Sequence, residues 1–166
     1  NTGDDFERHG LLVCADHDTV MYTLADIANR EWGWGIEGET WNAAEQLGRY
    51  GEETWFRLGD RDLATHVVRT ARLRGGARPT DVALQLQAAL GVTARILPMT
   101  DETVRTHVRT DDGWLEFQEY FVHRHQEPTV HAVRFEGAEH ARPTPEVLAA
   151  LASAEGIVPA ATNPTL

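Results

Sequence analysis

Three acidic knots carry the residue types that could do chemistry: "NTGDD" (1–5), "ADHDT" (15–19) and "LGDRDLATH" (58–66). Asp4, Asp5, Asp16 and Asp18 lie on two neighbouring loops, and carboxylates crowded together are costly unless a cation neutralises them. Mg2+ suits such a set, because it takes one or two carboxylates and leaves its other positions to water and substrate phosphates. The competing reading makes Asp18 the N-cap of a helix and Asp4 a turn residue. In the third knot, Arg61 stands between Asp60 and Asp62 just before a helix start, where free N–H groups and the helix dipole favour anions. Arg61 can hold a phosphate or a polar ring edge there, with Asp60 or Asp62 fixing its direction. Thr65 and His66 follow on the first turn. A solvated ion pair is the alternative for this tetrapeptide.

The chain has eight histidines and five tryptophans. His123 and His125 have strand spacing and would share a face, but no histidine set has the spacing of a zinc site. Trp32 and Trp34, among glycines, suit a loop that plugs the core or stacks on a flat ligand.

The elements that must position these groups follow from periodicity. "GLLVC" (10–14) predicts a short buried strand, and Asp18 the N-cap of a helix whose stripe is Val20, Leu24 and Ile27. Thr40 should cap a short helix ending near Gly51. Asp62 should cap another, with Leu63, Val67, Thr70 and Leu73 on one face and Gly75-Gly76 as its stop. Thr80 opens a helix with Val82, Leu86, Ala89 and Leu90 on one face. "ARIL" (94–97), "VRTHVRT" (104–110), "WLEFQEYFV" (114–122) and "VHAVRF" (130–135) predict strands, two of them joined by an Asp-Asp-Gly turn. Thr144-Pro145 starts a last helix, and "IVPA" (157–160) a last strand. Helices alternating with apolar strands at both ends imply an α/β fold. The expected architecture is a Rossmann-like three-layer core with a parallel sheet, built from residues 1–29 and 144–166. An α+β portion, a helical cluster plus a β-hairpin, is inserted over about residues 30–143. The acidic knots lie where strands give way to helices, the place where open α/β sheets bind ligands.

Bulk properties narrow the classes. The 166 residues make about one domain. The net charge of −11, from 26 acidic against 15 basic residues, excludes a basic nucleic-acid footprint. No apolar run reaches the length of a membrane span. The single cysteine, Cys14, excludes an internal disulfide and suits a cytoplasmic setting.

"NTGDDFERHGLLVCADHDTVMYTLADIAN", "GWGIEGETWN", "WFRLGDRDLATHVVRT", "RILPMTDETVRT", "FQEYFV" and "ATNP" together resemble the CofD family, the 2-phospho-L-lactate transferases. The resemblance is to the actinobacterial FbiA type, the phosphoenolpyruvate transferases. It implies a single CofD-like domain, incomplete at both ends, covering roughly the middle half of a family member. It also implies an Mg2+-dependent transferase of coenzyme F-420 biosynthesis. The acceptor would be the deazaflavin FO, and the donor a GDP-linked three-carbon acid, lactyl or enolpyruvyl. The FO hydroxyl attacks the acid-side phosphorus and GMP leaves. By the same resemblance Asp5 and Asp18 are the catalytic carboxylates, shared between metal and acceptor hydroxyl, with Asp16 beside them at the metal. Asp18 and Arg61 match FO-contacting positions, with Asp60, Asp62, Thr65 and His66 around them. Family members usually carry Pro and Leu where this chain has Ala15 and His17. A homodimer is a further expectation. An Mg2+-dependent phosphohydrolase or an inactive deazaflavin-binding fragment are the alternatives.

Overall fold

Two three-residue strands around a glycine turn open the fold, the first with Phe6 as its apolar residue and the second wholly apolar. The computed structural model describes residues 2–159. A 3₁₀ turn, Thr2–Asp4, leads into β1 (Phe6–Arg8), which reverses through His9 and Gly10 into β2 (Leu11–Val13). Both turn residues have positive φ, 51° and 71°, and glycine adopts that region without a Cβ penalty. The two strands pair antiparallel with Phe6 opposite Val13. Both side chains are buried with Leu58, and Phe56 and Leu63 pack beside them.

α1 (Ala15–Leu24) starts directly from β2, with Cys14 at its N-cap. Asp18 is therefore not a cap. It lies in the first turn, and its N–H donates to the Cys14 carbonyl at 2.9 Å. The expected stripe is also rotated: Val20 and Leu24 are 46% and 52% exposed, whereas Met21 and Tyr22 are buried. These two larger side chains join Ile36, Val82 and Leu86 in the main core, and burial of their greater area sets the helix orientation.

α2 (Asn42–Arg49) begins after Trp41, and Thr40 instead donates its hydroxyl to Asp60 at 2.6 Å. α3 (Asp60–Arg74) has Gly59 at its N-cap, so Asp62 is its third residue; it stops at Gly75 as the sequence predicts. Its buried face is Asp62, His66, Arg69 and Thr70, while Val67 of the expected stripe is exposed. α4 (Pro79–Ala89) buries Val82 and Leu86 as expected, together with Ala83 and Gln87; Ala89 and Leu90 face out.

No strand forms over 94–97. The Gln87 side chain there accepts the Ile96 N–H at 2.9 Å and donates to the Ile96 carbonyl at 2.7 Å. An amide side chain thus takes the place of a strand partner. The hairpin does form: β3 (Arg105–Thr110) and β4 (Gly113–Glu116) pair through Asp111-Asp112, and β5 (Ala132–Glu136) joins the other edge of β3. The strand expected over 114–122 stops at Glu116, and a π-helical turn follows at Glu119–His123. The reason is helical spacing. Phe117 and Tyr120 are buried together against Val108, and Phe121 stacks on Phe117 with ring centres 5.3 Å apart. α5 (Pro145–Ser153) is capped by Thr144, whose hydroxyl accepts the Val147 N–H. Residues 157–159 form no strand, and residue 160 of that expected element lies outside the described residues.

The fold mixes helices with small antiparallel sheets. Among the described residues every strand pairing is antiparallel, so the parallel sheet expected of a Rossmann-like core is not made by β1 and β2. The backbone of β2 has other partners: Leu12 donates its N–H to Thr70 Oγ1 at 2.8 Å and accepts from Arg69 Nη1 at 3.3 Å. Side chains of α3 thereby occupy the strand edge. No described helix is long and apolar enough to cross a membrane.

Candidate functional site

α1 and α3 meet along polar faces. On α3 the residues Asp62, His66 and Arg69 recur at helical spacing and are all buried. α1 sets Asp18 and Tyr22 against them from positions four apart. Arg69 forms an ion pair with Asp18 Oδ1 and places Nη1 3.0 Å from His66 Nδ1. Guanidinium can only donate, so His66 Nδ1 carries the lone pair and Nε2 the proton. That Nε2 faces Asp62 Oδ1 at 3.2 Å. Tyr22 donates its hydroxyl to Asp62 at 2.8 Å and shares a second contact of 2.8 Å with Thr65 Oγ1.

The electrostatics follow from this packing. Burial acts to raise the Asp18 pKa, but Arg69, the hydrogen bond from His17 and nearby His66 outweigh it and hold Asp18 below the usual carboxylate range. Burial acts to lower the Arg69 pKa, and Asp18 outweighs it, so the guanidinium is held above its ordinary value. Burial and the two carboxylates keep the Tyr22 phenol protonated. Asp5 is pushed up to about 6, chiefly by burial, against a hydrogen bond with Cys14 and the pull of Arg105 and Arg69.

Two cavities flank the start of α1. The larger, about 310 Å3, has aromatic walls from Trp34, Trp55, Phe56, Phe117 and Phe121, and Asp18, Asp62 and His66 line it. The smaller, about 200 Å3, is lined by Asp5, Cys14, Arg69 and Arg105. Asp16 lines both. Asp18, Asp62 and His66 each offer a ligand atom within 4.8 Å of the others, a group able to hold a metal ion. Asp18 Oδ2 is buried without a hydrogen-bond partner.

The structure thus brings together Asp16, Asp18, Asp62 and His66, with Thr65 tied in through Tyr22. Asp5 lies on the smaller cavity, and the Asp4 carbonyl accepts from Gln118 at 3.3 Å. Asp60 and Arg61 do not reach either cavity. Asp60 accepts from Thr40 and from the Asn42 and Ala43 N–H groups at the start of α2. Arg61 is exposed and donates to the Glu37 carbonyl at 3.2 Å. His123 stacks on Trp55, with ring centres 4.8 Å apart, and contacts Glu119. Trp32 and Trp34 stack on each other at 5.5 Å. Sequence reasoning missed Arg69, Tyr22 and the aromatic wall apart from Trp34. The signal for Arg69 was present in the D-x-x-x-H-x-x-R spacing of residues 62–69.

The family model described as 2-phospho-L-lactate transferase CofD matches residues 1–166. The chain belongs to the CofD family. It is 46% identical, over all of its length and 51% of the relative's, to a phosphoenolpyruvate transferase of Mycobacterium avium. A phosphoenolpyruvate transferase of Streptomyces griseus is also 46% identical, with 54% of its length covered. The chain therefore spans about half the length of the curated relatives it matches. Among solved structures, a UPF0052 family protein from Bacillus halodurans aligns with 80% of this chain and 38% of its own, at TM-score 0.45 and 14% identity.

Proposed function

We propose that the whole protein carrying this chain is a transferase of coenzyme F-420 biosynthesis. It moves a 2-phospholactyl or enolpyruvyl phosphate group from a GDP-linked donor to the hydroxyl of the deazaflavin FO, and releases GMP. Membership of the CofD family and the names of its relatives support the reaction class. The single observation that carries the site is the aromatic cavity lined by Asp18, whose buried Oδ2 accepts no hydrogen bond and stands 3.6 Å from His66 Nδ1. Aromatic walls suit a flat ring system through stacking, and a buried carboxylate oxygen lacking a donor suits a hydroxyl.

The donor set fits Mg2+. His66 Nδ1 is committed to Arg69, which leaves carboxylate oxygens, the ligands a hard cation takes. Asp5, raised to about 6 by burial, would be returned to its ionised form by a nearby cation. Asp18 is common to the Asp5–Asp16–Asp18 set read from the sequence and to the Asp18–Asp62–His66 group, so Asp18 would hold the ion, with Asp62 as its partner on the larger cavity. When bound, Mg2+ supplies charge neutralisation for the transferred phosphoryl group.

The protein's own part is positioning. Trp34 and Phe121 hold the ring, and Asp18 orients the acceptor hydroxyl and accepts its proton as the new P–O bond forms. The bond to GMP breaks and GMP leaves with the bridging oxygen. Arg69 keeps Asp18 in place and ionised. Assay of GMP release by the full-length protein, with and without FO, tests this reading. Release that requires FO supports transfer. Release without FO indicates a hydrolase, and FO binding without release indicates a binding protein.

A further inference from the structure

Why the third acidic knot sits at the mouth of α3 has a structural answer that the transfer chemistry does not use. Glu39, in the loop before α2, accepts the Arg61 N–H through Oε2 at 2.9 Å and the Asp62 N–H through Oε1 at 2.8 Å. Both oxygens of one carboxylate therefore cap the N-terminus of α3. Asp60, on the first turn of α3, returns the arrangement. Its Oδ2 accepts from the Thr40 hydroxyl at 2.6 Å and the Asn42 side chain at 2.8 Å, and its Oδ1 accepts from the Ala43 N–H at 3.0 Å. Each helix start is thus capped by an acidic residue belonging to the other. The Asp60 N–H closes the exchange on the Thr40 carbonyl at 2.9 Å. Gly59 is required for it, because a Cβ there would overlap the Glu39 carboxylate.

Two consequences follow. The N–H groups that would attract a phosphate at the start of α3 are already taken, so the substrate anion is not held there. The backbone of Asp62 is also fixed from the loop side by Glu39, while its carboxylate is fixed from α1 by Tyr22 at 2.8 Å. The same loop follows Trp34 and Gly35, which line the aromatic cavity.

We propose that Glu39 is a positioning residue. Its carboxylate locks the loop bearing Trp34 to the start of α3, and so holds Asp62 and the His66–Arg69 face in register with Asp18. This rests on the transferase reading of the same cavity, but the capping contact stands apart from it. A displaced carboxylate of 1 Å or so costs up to about a hundredfold in rate.

The test compares wild type, Glu39→Gln, Gly59→Ala and the double variant in the full-length protein, with Glu39→Asp as the conservative control. Amide hydrogen exchange at Arg61 and Asp62 reads the cap, and FO-dependent GMP release reads its consequence. Glu39→Gln should speed exchange at these two amides and lower kcat about tenfold or more, with KM for FO within about twofold. The double variant should be no worse than the poorer single one, because both changes remove the same contact. Unchanged exchange at Arg61 and Asp62 would overturn the cap. Faster exchange with unchanged kcat, or additive losses in the double variant, would overturn the positioning role. A wild-type protein inert toward FO would instead overturn the transferase reading, and the exchange measurement would still decide the cap.

Discussion

Two arginines nine residues apart each hold two helices together, and they do so under opposite conditions. Arg69 is buried, with its guanidinium against Asp18, His66 and the Leu12 carbonyl. Arg78 is 44% exposed by its side chain, and it bridges Glu146 of α5 with Asp101 through contacts of 2.8–3.1 Å. The geometry at Arg78 is the more regular, bidentate on Glu146. The energetic weight nevertheless belongs to Arg69, because water screens an exposed pair and cannot replace a partner inside. Each arginine keeps a carboxylate ionised. Both pairs reach a cavity, Asp18 the larger and Asp101 the smaller, but only at Arg69 is the whole pair buried, beside Asp62 and His66.

The largest effect should follow from Arg69→Met. Removing the partner of a buried carboxylate costs about 3–5 kcal/mol, and denaturant unfolding of the full-length protein would show it as a lower midpoint. Asp18→Asn combined with Arg69→Met should recover a good part of that loss, since no uncompensated charge is left. Additive losses would mean that the two residues do not act as a pair. Tyr22→Phe is expected to cost less, about 1–3 kcal/mol, by removing the donor to buried Asp62. The same unfolding experiment measures it.

Further down the scale, Asp60 gives a test by pH. Its pKa is lowered from 3.8 to about 2, first by the Thr40 hydroxyl, then by the Ala43 N–H and the Asn42 side chain. A depressed carboxylate contributes stability above its unfolded pKa and loses it as pH falls through the folded value. Melting temperature should therefore show an Asp60-dependent decline between about pH 4 and pH 2, and Asp60→Asn should remove that part of the pH dependence. A profile identical in the two proteins would deny Asp60 its capping role. Arg78→Ala should give the smallest change, a slight fall in melting temperature that vanishes in high salt. A loss as large as that of Arg69→Met would erase the contrast between the two arginines.

The same contrast explains what was legible in the sequence. Elements whose buried face is apolar or whose ends carry strong caps were readable: β2, the Asp-Asp-Gly hairpin, Val82 and Leu86 on α4, and Thr144-Pro145 at the start of α5. The helices that build the site follow their expected stripes only in part, with Thr70 buried and Leu63 and Leu73 packed against the core. Their buried faces are polar, with Asp62, His66 and Arg69 on α3 and Asp18 on α1. A search for apolar stripes therefore turned Val67, Val20 and Leu24 inward, when these residues face out. The π-helical turn after β4 was missed because Phe117, Tyr120 and Phe121 also suit a strand by composition. Within the candidate site, the carboxylates at 16, 18 and 62 were identified from their crowding at helix starts. Arg69 escaped notice because a basic residue on a helix is ordinarily a solvated one, and only the partner across the core makes it otherwise.

In the proposed reaction Asp18, held ionised by Arg69 at the wall of the aromatic cavity, serves the acceptor hydroxyl. That role is tested most directly by Asp18→Asn in the full-length protein, which keeps the shape and removes the charge. FO-dependent GMP release and deazaflavin fluorescence titration would be measured at a temperature where both proteins are fully folded, because Asp18→Asn leaves Arg69 without its partner and lowers the melting temperature. Asp18→Glu would be carried alongside as the charge-preserving variant. The expected result is a fall in kcat of about a hundredfold or more in Asp18→Asn, with FO still bound and partial activity in Asp18→Glu. Undiminished turnover in a folded Asp18→Asn protein would deny Asp18 that role.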